Sequence, residues 1–324
     1  MKEGILEAFS RIPIYSSLNR INRGKGIILV YHRVKEPAAF EKQIAFISQN
    51  YMVMPLDALV SLIIKSEPFP EHSLSITFDD GYRNIYHNGY PVLAKYKCAA
   101  TVFLNTGLIG RDKPIWPVWV YEYIFQSTQA IIDVEFGQRK LRLDISNPKA
   151  KQKAYHILVN LLKHEFQANL WFNLDQLWKA TGQPEITWKE DDLILTWEQI
   201  KEMEESNWFK FGNHTDSHRI LPWVDASTQA TEIDRAGEKL QTQLSCPSQV
   251  FAFPNGEYNT NVIRYLENKG YRGAVTIHER LVTFHSDPMR LERLGVNDNE
   301  DVSLLKLRLS GAVGFTKMFF KTAP

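Results

Sequence analysis

Three short stretches of this sequence carry side chains suited to holding a metal ion beside a base. The first is Thr77-Phe78-Asp79-Asp80-Gly81, two adjacent carboxylates where an apolar run gives way to glycine. Burying two like charges side by side is costly unless a cation or a proton neutralises one of them. One carboxylate on a metal with the other free as a base meets that condition, and an Asp-Gly turn with a helix N-cap is the plainer alternative. The second stretch is His214-Thr215-Asp216-Ser217-His218. On a helical turn, imidazoles at i and i+4 project from one face, so two ring nitrogens reach one ion; two solvated histidines are the alternative. The third is His32, directly after the apolar run Ile27–Tyr31. Asp80, His214 and His218 together make a two-histidine, one-carboxylate set with positions open for water and substrate. Such a set suits a catalytic divalent metal, zinc by default and other first-row metals otherwise. Asp79 is then the base.

These residues need a scaffold that gathers strand ends. Residues 26–31, 74–78 and 99–104 read as buried strands, separated by helical spacing over 37–50, 55–64 and 84–96. The alternation resumes after Trp197, with a helix to Glu205 and strands at 209–211, 249–253, 272–275 and 291–296. Helices fall between them at 226–244 and 259–269. Repeated β-α units imply a parallel sheet with crossover helices, and such folds place their sites at the carboxyl ends of the strands. All three stretches sit there. Residues 112–195 break the rhythm with a Trp/Pro cluster, a hairpin near 131–143 and two helical runs, and read as a mostly helical insertion. Without it about 240 residues remain, the size of a single α/β barrel. The expected organisation is an N-terminal helical segment (1–25), a barrel in two parts (26–111 and 196–300), the insertion (112–195) and a C-terminal helix (301–324).

Composition excludes several classes. The chain has 324 residues, 38 Lys plus Arg against 37 Asp plus Glu, and a formal net charge of +1. A protein that coats nucleic acid needs a basic surplus, so no nucleic-acid partner is expected. Two cysteines, Cys98 and Cys246, build no disulfide framework and no four-cysteine zinc site. No run approaches the ~20 apolar residues of a membrane span. The first residues lack the unbroken apolar core of a secretory signal, and their amphipathic spacing reads as a short packed helix. The expectation is a cytoplasmic protein with no signal peptide, with peripheral membrane contact as the alternative.

Taken together, TFDDG, the later H-T-x-x-H and F-A-F-P-N-G closely resemble the polysaccharide deacetylase family (NodB homology domain, carbohydrate esterase family 4). The opening IILVYHRV and the late DPMRLERLGV look like its permuted branch, which deacetylates exopolysaccharides such as poly-N-acetylglucosamine. The resemblance implies a distorted (β/α)7-type barrel of the α/β class. It implies Asp79 as general base, Asp80, His214 and His218 as metal ligands, and His32 as the acid. It implies that the N–H of Asn255, after Pro254, helps hold an oxyanion. Two positions depart from the family pattern. Ala252 stands where an arginine usually steadies the base, so Arg293, or failing it Arg290, is the expected substitute. Asn255 stands where an aromatic usually follows the proline. His278 and His285 are secondary candidates for the acid. Tyr82, Tyr258 and Trp223 are candidate sugar contacts, because aromatic faces stack on sugar rings, and Pro254, in the F-A-F-P-N-G motif, is a candidate with them. His72, His87, His156 and His164 lie away from strand ends and read as surface residues.

The function implied is a metal-dependent hydrolase removing the N-acetyl group of an amino-sugar polysaccharide or glycan precursor. A glycan-binding protein of the same fold that has lost activity, and a deacetylase of ester-linked acetyl or non-sugar amides, are the alternatives. A phosphoesterase is disfavoured, since no Gly-rich phosphate cradle accompanies the motifs.

Overall fold

The computed structural model describes residues 21–184 and 186–311. The expected N-terminal helix and most of the C-terminal segment lie outside them. The first part of the chain runs β1 (Ile27–Tyr31), α1 (Pro37–Asn50), β2 (Met52–Val53), α2 (Leu56–Lys65), β3 (Ser73–Phe78), α3 (Tyr90–Lys95) and β4 (Ala100–Leu104). β1, β3 and β4 are buried at every position. β1 accordingly reads as an unbroken apolar run, the signature of a strand covered on both faces, while β3 and β4 also bury Ser73, Ser75, Thr77 and Thr101. The single helix expected over 84–96 is a π turn, Ile85–Gly89, leading into α3. Pro91 has no N–H to give the ladder, and the wider turn accommodates it.

The chain then makes α4 (Trp116–Gln126), β5 (Ile131–Phe136), β6 (Arg139–Asp144), α5 (Pro148–His164) and α6 (Leu170–Thr181). β5 and β6 pair as an antiparallel hairpin of their own. This segment packs around its own buried cluster, including Trp116, Phe136, Leu158 and Leu174. Its ends meet on the barrel, where Gly110 N–H donates to Leu195 O at 3.2 Å and Leu195 N–H to Gly81 O at 2.9 Å.

The last part runs α7 (Trp197–Glu205), β7 (Phe209–Asn213), α8 (Ala226–Gln243), β8 (Val250–Ala252), α9 (Thr260–Asn268), β9 (Gly273–Val275), β10 (Leu294–Gly295) and α10 (Val302–Leu309). Thr196 opens α7 with a reciprocal capping box, and Asp225 caps α8 by accepting from Thr228 N–H. Such caps satisfy amides that the helix leaves unpaired. The parallel sheet has the order β10-β1-β3-β4-β7-β8-β9, with β2 added beside β3. Leu291 bridges to Val275 on one side, and Leu294 pairs with Leu29 on the other. One stretch thus joins both edges and curls the sheet into an α/β barrel. All carboxyl ends face one way, and the loops after β1, β3, β7 and β8 share one mouth.

Candidate functional site

β3 delivers the two carboxylates. Asp79 N–H still donates to Tyr31 O, at 3.0 Å, as the ladder's next rung. Asp80 then takes φ of 69° and Gly81 φ of 73°. In a regular strand, neighbouring side chains point to opposite faces; the left-handed step cancels that alternation, and both carboxylates turn to one site. A left-handed backbone costs a non-glycine residue about 1–2 kcal/mol. It recurs at Thr215, His218 and Asn255, all in the same mouth, where stored strain commonly marks function.

The expected helical turn at 214–218 is absent. The segment is a loop bent by positive φ at Thr215 (68°) and His218 (59°). Side chains hold this shape in place of helical hydrogen bonds. Asn213 Oδ1 accepts from Thr215 N–H at 2.8 Å, and Glu232 accepts from Ser217 N–H at 2.8 Å and Ser217 Oγ at 2.6 Å. Trp116, from the insertion, donates Nε1–H to His218 O at 3.1 Å.

The loop brings both imidazoles to Asp80. His214 Nε2 lies 3.5 Å and His218 Nε2 3.3 Å from Asp80 Oδ1, and all three residues are buried. His214 Nδ1–H donates to Ala252 O at 2.8 Å, which leaves Nε2 with its lone pair directed at Asp80. Asp80 Oδ1 is buried and accepts no hydrogen bond. Asp80, His214 and His218 therefore bring three atoms able to ligate a metal to one point, all within 4.8 Å of one another. That arrangement fits a divalent cation bound by two imidazoles and a carboxylate.

Beside it, Asp79 pairs with Arg293. Arg293 Nη1 donates to Asp79 Oδ1 at 2.7 Å and Nη2 to Oδ2 at 2.6 Å. Arg293 also donates through Nε to Thr276 O at 2.8 Å and through Nη1 to Thr77 Oγ1 at 3.1 Å. Its side chain is wholly buried. Burial alone would raise the Asp79 carboxyl, but the Arg293 guanidinium, with His214 and His32, holds it below the usual carboxylate range. Arg290 pairs instead with exposed Asp287, at 2.5 Å. Asp80 is likewise held low against its burial by His214, His218 and His32. Burial pushes His218 down to about 4, with His214 and Lys163 adding to the effect against Asp80. His32 is exposed at the carboxyl end of β1, and its charge is felt by both carboxylates. His278 and His285 are exposed; His278 offers its carbonyl to Arg293 N–H at 3.0 Å.

The loop after β8 carries Pro254, which is buried, and Asn255. Asn255 and Gly256 are both left-handed, φ 57° and 68°. A Cβ at Gly256 would stand 2.7 Å from Ile277 N, so glycine is required there. Trp223 is 46% exposed and donates Nε1–H to Glu257 Oε2 at 2.7 Å. Tyr258 is half-buried against Phe253, with ring centroids 5.1 Å apart. Tyr82 differs from its expected place. It is 3% exposed, with the Arg33 guanidinium 3.8 Å above its ring, so that face is not offered to a sugar. The Arg33 cation and the tyrosine both leave water by stacking on each other.

Two residues of the insertion also enter the site, and neither was expected there. Lys163 Nζ donates to Asn255 Oδ1 at 2.6 Å. His164, expected at the surface, is half-buried with Nε2 3.2 Å from Glu257 Oε1. Burial pushes the Lys163 ammonium down, against Glu257 and Asp80. Both residues sit in the last turn of α5, and no local pattern ties them to a loop some ninety residues away.

The polysaccharide deacetylase family model matches residues 66–126 and 144–274, more than half of the chain. Among curated proteins, the poly-beta-1,6-N-acetyl-D-glucosamine N-deacetylase of Staphylococcus aureus (strain MRSA252) is 21% identical over 250 residues, covering 75% of this chain and 60% of the relative. The same-named protein of Staphylococcus epidermidis is 24% identical over 246 residues, covering 74% and 59%. The chain thus spans about 60% of the length of the curated relatives it matches. Among solved structures, the Streptococcus pyogenes deacetylase PplD in complex with acetate superposes with a TM-score of 0.58 at 19% identity, over 87% of this chain and 97% of that one. IcaB from Ammonifex degensii gives 0.57 at 17% identity, over 89% and 97%. These structural likenesses are of fold, and they agree with the α/β barrel. The chain belongs to the polysaccharide deacetylase family.

Proposed function

We propose that this protein hydrolyses the N-acetyl group of an amino-sugar polymer of the poly-β-1,6-N-acetylglucosamine kind. The observation that carries the reading is the buried convergence of Asp80, His214 and His218 beside the Asp79–Arg293 pair. Family membership and the substrate named for the staphylococcal relatives support it.

A divalent cation held by Asp80, His214 and His218, with zinc the default for this donor set, would supply Lewis acidity to the acetyl carbonyl and acidify the attacking water. Asp79 takes the proton as water attacks. Its pairing with Arg293 keeps it ionised and fixes its orientation. The Asn255 N–H donates to the oxyanion as the carbonyl becomes tetrahedral. His32, at the open side of the mouth, protonates the departing amine. The C–N bond breaks, giving acetate and the free amino sugar. Trp223, exposed and hydrogen-bonded to Glu257 of the loop, offers an aromatic face to a sugar ring, and half-buried Tyr258 of the same loop is the second candidate.

No helix of the described residues is long and apolar enough to cross a membrane, and the near-neutral charge suits an uncharged glycan. The test is acetate release from N-acetylated and O-acetylated glycans by metal-loaded protein. Release from the N-acetylated polymer is expected. Full metal occupancy with no release from any acetylated glycan refutes the reading in favour of a glycan-binding protein, and release from esters alone moves it to an esterase.

A further inference from the structure

The insertion does more than flank the mouth. The last turn of α5 places Lys163 Nζ 2.6 Å from Asn255 Oδ1, and Asn255 Nδ2 donates on to Glu257 Oε1. Glu257 is held from outside by Trp223 Nε1 at 2.7 Å and lies 3.2 Å from His164 Nε2. The side chain of Asn255 is thus gripped at both ends, by a cation on its oxygen and a carboxylate on its nitrogen. Its backbone is left-handed and is followed by a second left-handed residue. Asn-Gly is the pair that takes two such steps most readily, so the sequence supplies the turn and the side-chain contacts fix how it is oriented. Asparagine tolerates that conformation better than most residues. An aromatic side chain at this position would give Lys163 no acceptor.

Resting on the deacetylase reading, we propose that Lys163 is a positioning residue for the reaction, a clamp from the insertion that fixes the Asn255–Gly256 turn and so the direction of the Asn255 N–H. Lys163 touches Asn255, not the reacting atoms. Its effect passes through the turn, where a displacement near 1 Å costs on the order of a hundredfold in rate. The ammonium is also close enough to act electrostatically on His218, so metal content must be measured alongside rate.

The test compares Lys163→Met, Lys163→Arg, Asn255→Gly and the double variant Lys163→Met/Asn255→Gly in the full-length protein. Lys163→Met is expected to lower kcat about 10- to 100-fold, with KM and bound metal little changed. Lys163→Arg should restore most of the loss, because it again donates to the Asn255 oxygen. In the Asn255→Gly background, Lys163→Met should cost little more, since the acceptor is gone. An unchanged kcat in Lys163→Met, or the same loss in both backgrounds, overturns the clamp. Amide hydrogen exchange over 253–258 gives a readout independent of turnover, and about tenfold faster exchange is expected in Lys163→Met. Unchanged exchange overturns the clamp. If the unmodified protein releases no acetate, the deacetylase reading fails, and the exchange arm still decides whether Lys163 holds the turn.

Discussion

Replacing Arg293 with methionine removes the countercharge of Asp79 while leaving an apolar stem in its place. Both groups are buried, Arg293 at 0% and Asp79 at 2% exposure, and the guanidinium meets both carboxylate oxygens. Breaking a buried pair from one side costs about 3–5 kcal/mol, because the surviving charge is left unpaired. At 1.36 kcal/mol per pKa unit, this corresponds to a rise of roughly 2–4 units in Asp79. The lower end is expected, since His214 and His32 still act on it. The sign follows from the base needing to be ionised. In the unmodified protein Asp79 is depressed, so its contribution to stability is present above the ordinary carboxylate range and disappears as pH falls through the folded value. In Arg293→Met the carboxyl titrates higher, so the acid limb of kcat/KM moves toward neutral pH and activity recovers on the alkaline side. The assay is acetate release as a function of pH, with denaturant unfolding in parallel. Adding Asp79→Asn to Arg293→Met should return part of the lost stability, because a neutral amide needs no countercharge; the share due to Thr276 O losing its donor stays lost. An acid limb that does not move, or a double variant no more stable than Arg293→Met alone, refutes the electrostatic argument.

Three further outcomes follow from the geometry. Asp80→Ala or His214→Ala should lose bound metal and activity together, whereas Asp79→Asn should keep the metal by elemental analysis while turnover falls about 10²–10⁴-fold. Gly256→Ala should lower stability by about 1–3 kcal/mol in thermal unfolding, since it forces a side chain into positive φ and against Ile277 N at 2.7 Å. His32→Gln should reduce kcat most for amides with poor leaving groups and least for activated esters; an equal loss on both would remove it as the acid.

The barrel was legible because its strands are covered on both faces. Burial on both sides leaves β1 an unbroken apolar run and β4 nearly one, whereas β3 alternates Ser73, Ser75 and Thr77 with Leu74, Ile76 and Phe78; the parallel order follows from the helices between them. Asp79, Asp80, His214 and His218 could be named for the same local reason. Each carboxylate or imidazole pair is contiguous or nearly so, and each lies at a strand end. The mode of presentation was not legible. A helical turn is the simplest way to align residues four apart, yet the chain uses left-handed steps at Thr215 and His218, held by Asn213 at the end of β7 and by Glu232 from α8. Tyr82 lies under Arg33, and an aromatic after a motif looks the same in sequence whether a sugar or an arginine covers it.

The sequence by itself determined the family, the barrel, and the residue types assembled at its mouth, because these are written in short motifs and local periodicity. Only the tertiary structure decided which arginine faces Asp79, since Arg290 and Arg293 differ in sequence by three positions and in structure by complete burial. It alone brought Lys163 and His164 from the insertion to Asn255 and Glu257. Those contacts join segments about ninety residues apart, and side chains that meet only through the packing of separate elements leave no periodicity along the chain.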